Sequence, residues 1–456
     1  MKKRRPAYDS PPVKRYRKMK KGHTRRENAT RFTLSAIMLF EFCACMLLAL
    51  RTLPPDRLYA VGFDIFLPIV PDLYAVGLAF FLPAAAWLSV TAAAKKLKAD
   101  AMLVMLMNFL CGLGIILLYG LSPERGIRQA FVFIVGWVMF AICLLAVRGI
   151  HDWRALCFLM IPAGITLLLL PVAIGHEQNG AKNWITVPVI QSFQPSEFVK
   201  LLLLFVLSQH FSTLRKFKNM LPGLLFAVGC LGALMLQMDL GTALMYYMVT
   251  LLMYWAASSN LPVTLVGMAG GAGAAYMGYT MFAHVKTRVA IWLNPWSDAM
   301  GKGYQIVQAL MAIASGGLFG LGLGMGQSRV IPAYSTDFIF AVLCEQFGIL
   351  FGLCVLGLYV IIVFRGMAIS LTSRTSFHAL LALGCTLFIG LQTFTIIGGV
   401  VKLIPLTGVT MPFVSYGGTS LVSCMGMVGL LCGVAARNER DREQDRRLAR
   451  GAEALG

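Results

Sequence analysis

Apolar runs of roughly 20 residues alternate with short polar turns along almost the whole chain, the pattern of helices that each cross a bilayer once. Twelve runs can be marked, over 33–50, 72–94, 101–120, 129–147, 155–175, 196–212, 221–237, 240–257, 261–283, 338–364, 377–399 and 410–435. The charges in the turns test that count, because cytoplasmic turns collect Lys and Arg. Turns on the same side as the N-terminus read "KKLKAD" at 95–100, "RGIHDWR" at 148–154, "LRKFKNM" at 214–220, "SSN" at 258–260 and "RGMAISLTSR" at 365–374. Four of these five are basic, and both chain ends are charged, so both termini are expected in the cytoplasm. The expected fold is an all-α polytopic integral membrane protein with about 12 transmembrane helices.

Composition agrees. The 456 residues are 58% hydrophobic and 13% charged, with mean hydropathy +0.74, where a soluble domain carries about 25% charged residues. The net charge of +20 is concentrated rather than spread. Thirteen Lys and Arg fall within residues 1–31 against Asp9 and Glu27. That stretch reads as a disordered cytoplasmic tail facing anionic lipid, not as a nucleic-acid arm. Residues 32–436 form the membrane domain, and 437–456, with "RNERDREQDRR", a second charged cytoplasmic tail. No small-residue cleavage site follows the first apolar run, so no cleavable signal peptide is expected. The eleven cysteines lie in apolar runs without CxxC spacing, and the six histidines form no HExxH. They read as packing residues, not as a zinc site or a disulfide framework.

Three outer segments are long. The first, 51–71, and the run after it share a near-repeat, "LYAVGFDIFLP" and "LYAVGLAFFLP". The second is 176–195. The third, a large extracytoplasmic loop over about 284–336, contains "YQIVQALMAIA". There Tyr304, Val307, Leu310, Met311 and Ala314 recur at helical spacing, which predicts a helix lying in the interface. The glycines of "SGGLFGLGLGMG" then allow sharp turns and close backbone approach.

Polar groups within or at the ends of membrane segments are costly and point to function. Here they are Glu41, Glu197, Lys200, Asp239, Asp337, Glu345 and Lys402. Glu197 and Lys200 share a helix face and can neutralise each other. Asp239 can cap the helix that follows it. Glu41 stands alone in the first run, and Lys402 can snorkel. Asp337 sits at the start of its run on the outer side. It is read either as an N-terminal cap or as a working carboxylate.

Several stretches narrow these alternatives. "NGAKNWI", "QPSEFVKL", "MDLGTAL", "NPWSDAMGKGYQ", "IPAYSTDFIFAVLCEQFG" and "MPFVSYGGTSLV" occur in order between Asn179 and Val434. Together they resemble the motifs of the SEDS family (shape, elongation, division and sporulation proteins: FtsW, RodA, SpoVE). The resemblance implies a bacterial cytoplasmic-membrane peptidoglycan glycosyltransferase that polymerises lipid II, its active site on the extracytoplasmic side. It also implies a class B penicillin-binding protein as partner, with other divisome or elongasome membrane proteins. It maps the family's essential aspartate onto Asp337. Lys182, Lys200, Arg288, Tyr304, Gln305 and Gln308 become candidates for substrate binding. Glu197, Asp239, Thr336, Glu345, Ser415, Gly417 and Gly418 become motif residues with structural roles. The chain departs from the family where His often precedes the motif threonine, having Ser335. Gln346 follows Glu345 where a second Glu is common, and Lys182 with Asn183 stand where arginines are usual. The family core has ten spans, so two of the first five here are additional.

Lipid II polymerisation makes a β-1,4 bond from an α-linked donor. One base that deprotonates the acceptor hydroxyl suffices for such an inversion. The diphosphate is already a good leaving group and needs positive charge, from Lys, Arg or a dissolved Mg²⁺ or Mn²⁺. The competing expectations are a lipid II flippase and a catalytically silent scaffold for the transpeptidase.

Overall fold

The computed structural model describes residues 12–51, 73–150, 152–178, 181–186, 193–212 and 217–455. In chain order the helices are α1 (Pro12–Arg51), α2 (Leu73–Lys95), α3 (Ala101–Leu121), α4 (Pro123–Gly149) and α5 (Arg154–Ile174). A small antiparallel pair follows, β1 (His176–Gln178) and β2 (Ala181–Trp184). Then come α6 (Pro195–Ser212), α7 (Phe217–Leu236), α8 (Leu240–Ser258), α9 (Leu261–Met281), α10 (Ala283–Leu293) and α11 (Tyr304–Gly316). The last four are α12 (Ile339–Phe347), α13 (Ile349–Leu371), α14 (Ser376–Val400) and α15 (Gly418–Leu455).

Among the described residues ten helices are long and apolar enough to cross a membrane. The other two of the twelve expected runs, α6 and α9, are helical over 18 and 21 residues but lie outside that set. Glu197, Lys200 and His210 make α6 more polar, and glycines dilute α9. Helices apolar on all sides divide by what surrounds them. In α3 and α15, 83% and 94% of the apolar window is buried, against 22% in α5, so α3 and α15 form the centre and α5 faces outward. α15 lies along α4 and also meets α3, α6, α13 and α14. Close approach is built in at Gly114 of α3, where a Cβ would stand 2.6 Å from the Val414 carbonyl oxygen.

Several boundaries differ from those expected. The basic tail is not wholly irregular, because α1 is helical from Pro12; residues 1–11 lie outside the described residues. The C-terminal charges continue α15 rather than forming a separate tail. They are tied down by ion pairs of Lys98 with Glu443 and Arg374 with Asp445. The near-repeat at 58–68 falls outside the described residues. The run 410–435 becomes helical only at Gly418, and 411–417 is a buried irregular segment.

The run 338–364 is two helices. Gly348, at φ 85°, breaks it between α12 and α13. A helix end leaves carbonyls without partners, and here the glycine loop supplies them. Leu321 N–H donates to the Glu345 carbonyl at 2.9 Å, and Gly322 N–H to that of Gln346 at 3.0 Å. The Glu345 side chain returns the favour by accepting from Gln327 N–H at 2.9 Å and Ser328 N–H at 3.0 Å. Glu345 therefore anchors the loop through charge-assisted bonds. The loop over 284–336 is largely helical. α11 packs on α12 and buries Ile306, Val307, Ala309 and Ala312, while Met311 and Ala314 of the expected stripe are exposed.

Gly326 shows how tight this is. Its φ is 100°, and an added Cβ would lie 2.5 Å from Glu345 Cδ. Gly326→Ala should therefore destabilise by about 1–3 kcal/mol. Gly357→Ala in α13, with nothing within 4 Å, should be neutral or better. Thermal unfolding in detergent compares the two, and equal midpoints would contradict the anchoring role.

Candidate functional site

Asp337 lies in a turn that Ala333 creates. Ala333 has φ 57°, and its carbonyl accepts from the N–H groups of Thr336, Asp337 and Phe338 at 3.1, 3.1 and 3.3 Å. α12 begins two residues later, with Phe338 at its cap position and no side-chain capping bond. The cap position falls on Phe338, and among the described residues no α12 N–H is bonded to the Asp337 carboxylate, so Asp337 does not cap this helix.

The turn is held by residues distant in sequence. The Ser415 hydroxyl donates to the Thr336 carbonyl at 2.6 Å and accepts from Met411 N–H at 2.8 Å. Tyr416 N–H donates to the Ser335 carbonyl at 2.8 Å. Gln129 of α4 donates to the Ser415 carbonyl at 3.0 Å. Arg125, in the first turn of α4, donates to the Ser335 hydroxyl at 2.8 Å. Segment 411–417 thereby buttresses the carboxylate, and Gly417 and Gly418 lead directly into α15.

One of the predicted binding residues lies near Asp337. Arg288 of α10 donates to the Thr407 carbonyl at 3.1 Å. Asp337 and Arg288 flank Gly408, whose added Cβ would lie 3.7 Å from Asp337 Oδ2 and 3.8 Å from Arg288 Nη2. The Asp337 carboxyl is half-buried. Burial lifts its pKa above the ordinary 3.8, while the Thr336 hydroxyl and the Arg288 guanidinium oppose the rise. A carboxylate held this way can accept a proton beside a cation that can meet an anion.

The remaining candidates lie elsewhere. Lys200 is 3% exposed, inside the bundle and not on an open surface. Its ammonium donates to both Glu197 oxygens at 2.8 Å and to Gln392 at 3.3 Å. Ser423 donates to Glu197 at 2.7 Å, and Gln392 donates to the Thr410 carbonyl at 2.8 Å. This network joins α6, α14 and α15 to Thr410, the residue preceding segment 411–417. Lys182 straps β2 to the end of α5, its ammonium donating to the Val172 carbonyl at 2.9 Å. Asp239 caps α8 at Thr242 N–H and accepts from Asn183 at 2.7 Å and Gln194 at 3.1 Å. On α11, Gln305 is exposed and Tyr304 and Gln308 half-buried. The bonds around Asp337 include none of these three.

Arg125 and Gln129 were not among the sequence candidates. A signal existed, since the turn "LSPERGIR" falls on the outer side by the same parity that places Asp337 there.

A family model described as a cell cycle protein, covering FtsW, RodA and SpoVE, matches residues 100–440. α1 and α2 precede the matched span. The chain is 35% identical over 375 residues to the peptidoglycan glycosyltransferase RodA of Mycobacterium tuberculosis, covering 74% of this chain and 78% of that protein. It is 32% identical to the stage V sporulation protein E of Bacillus subtilis, over 75% of this chain and 98% of that one. Among solved structures, a chain of a peptidoglycan synthase complex superposes with TM-score 0.62 at 25% identity, covering 75% of this chain and 98% of that one. The rod shape determining protein RodA of Thermus thermophilus superposes with TM-score 0.55 at 27% identity, covering 75% and 97%. The protein is an integral membrane protein of helical architecture and belongs to the FtsW, RodA and SpoVE family.

Proposed function

We propose that this chain is a peptidoglycan glycosyltransferase of the bacterial cytoplasmic membrane that polymerises lipid II. The observation that carries the reading is that Asp337 and Arg288 face each other across Gly408 in a family whose members bear that activity in their names. In this scheme the acceptor sugar hydroxyl gives its proton to Asp337 and its oxygen attacks the donor anomeric carbon. The bond from that carbon to the diphosphate breaks with inversion, and Arg288 meets the developing negative charge. A second carboxylic acid is not required, because the diphosphate leaves without protonation. A divalent cation, Mg²⁺ or Mn²⁺, would arrive on the diphosphate rather than in a protein cage. The described residues gather no group of three or more His, Cys, Asp or Glu.

A class B penicillin-binding protein is the proposed partner, since a relative of this fold is part of a synthase complex that coordinates polymerization and crosslinking. Lipid II polymerisation by the purified protein, with and without that partner, tests the reading. Translocation of lipid II without polymerisation would favour a flippase. Both termini are placed in the cytoplasm and Asp337 outside, on the strength of the basic turns. Leu97→Cys should be labelled only after the membrane is opened, and labelling from outside intact cells would reverse the topology.

A further inference from the structure

Arg125 ties α4 to two separate pieces of the site and still has donors to offer. Its guanidinium lies 5.1 Å from the Tyr334 ring centroid and 5.8 Å from that of Tyr416. One ring belongs to the segment bearing Asp337 and the other to segment 411–417, and the Ser335 hydroxyl between them takes one N–H at 2.8 Å. Guanidinium carries five N–H donors. No carboxylate pairs with this one among the described residues, since the neighbouring Glu124 pairs with Arg128 at 2.7 Å. Arg125 is half-buried, so one side remains open.

A half-desolvated cation without a counter-charge is costly, and two aromatic faces recover only part of that cost. Such a planar cation is suited to a two-pronged phosphate contact. Arg288, on the other side of the turn, faces Asp337 across Gly408 and donates to the Thr407 carbonyl. Arg125 stands two residues away at Ser335, which leaves it free for a ligand.

We propose that Arg125 is a phosphate-binding residue whose guanidinium takes the diphosphate of a lipid-linked donor at the Asp337 site. The proposal rests on the glycosyltransferase reading for the identity of the donor, but binding can be measured without turnover. The shared chemistry is a phosphate on a lipid, and the source is either a polyprenyl diphosphate or bulk anionic phospholipid.

The test uses the full chain in nanodiscs, titrated with undecaprenyl diphosphate or with phosphatidylglycerol. Arg125→Gln should weaken the diphosphate by about tenfold or more and leave phosphatidylglycerol binding unchanged. Equal loss for both lipids would assign Arg125 to the general membrane surface and overturn the proposal. Unchanged diphosphate affinity with a lowered unfolding temperature would make it a peg between Tyr334 and Tyr416, and also overturn it. If the glutamine variant does not fold, arginine modification of the wild-type protein carries the test. Undecaprenyl diphosphate, and not phosphatidylglycerol, should slow phenylglyoxal modification of Arg125 by about fivefold or more, and no protection overturns the proposal. Diphosphate binding by a protein that never polymerises would refute the glycosyltransferase reading while leaving the Arg125 assignment standing.

Discussion

Asp337→Asn should fold, reach the membrane and lose lipid II polymerisation by at least the ~10²-fold typical of a missing general base. The substitution keeps the shape of the side chain, and the turn around it depends on backbone groups of Ala333, Thr336 and Ser335. Since the carboxylate caps no helix, the stability loss of about 1 kcal/mol expected of a lost cap should be absent. The pKa gives a further sign. Burial raises it, so stability from this group is fully present below the ordinary carboxyl range and is lost as pH rises through the folded value. At neutral pH the asparagine variant should therefore be at least as stable as the wild type. Activity needs the ionised form, so its acid limb should lie above the ordinary 3.8. A folded asparagine variant that still polymerises would remove Asp337 from the chemistry. One that unfolds would assign it to the scaffold.

What the sequence made legible was local. Apolar runs of the right length marked ten helices able to cross a membrane, α13 and α15 with starts displaced from those expected, and three-residue spacing gave the Glu197–Lys200 pair. The cap at Asp239 followed from its position between two runs. The break at Gly348 was hidden because the residues on both sides are apolar, and hydropathy does not record a positive φ. Asp337 looked like a cap for a related reason: residue type and position suited one, but Ala333 had already turned the chain. Arg125 was harder still. Its bond to Ser335 spans 210 residues of sequence, and only tertiary packing brings them together. The departure at Ser335 acquires a meaning there, because a small hydroxyl leaves room for an arginine from another helix.

The buried pair should be the other sensitive point. Lys200→Met would leave the Glu197 carboxyl 5% exposed and, among the described residues, with Ser423 as its only remaining side-chain partner. Removing one member of a buried ion pair costs about 3–5 kcal/mol, a large share of the ~5–15 kcal/mol that holds a typical protein folded. Glu197→Gln is milder for the carboxyl but leaves Lys200 with neutral acceptors alone. A charge-swapped double variant, Glu197→Lys with Lys200→Glu, should recover more stability than either single change, because the three-residue spacing works in both directions. Recovery should be incomplete, since Ser423 and Gln392 are arranged for the present polarity. Polymerisation should fall along with stability. The pair reaches Thr410 through Gln392, and Thr410 is bonded to Ser420 at 2.7 Å, on either side of the segment that buttresses Asp337. Thermal unfolding and polymerisation of the three variants separate these effects. Normal stability in both singles would mean the pair contributes little to the fold. A swap that restores stability without activity would show that the polarity of the network, and not only its neutrality, sets the position of segment 411–417.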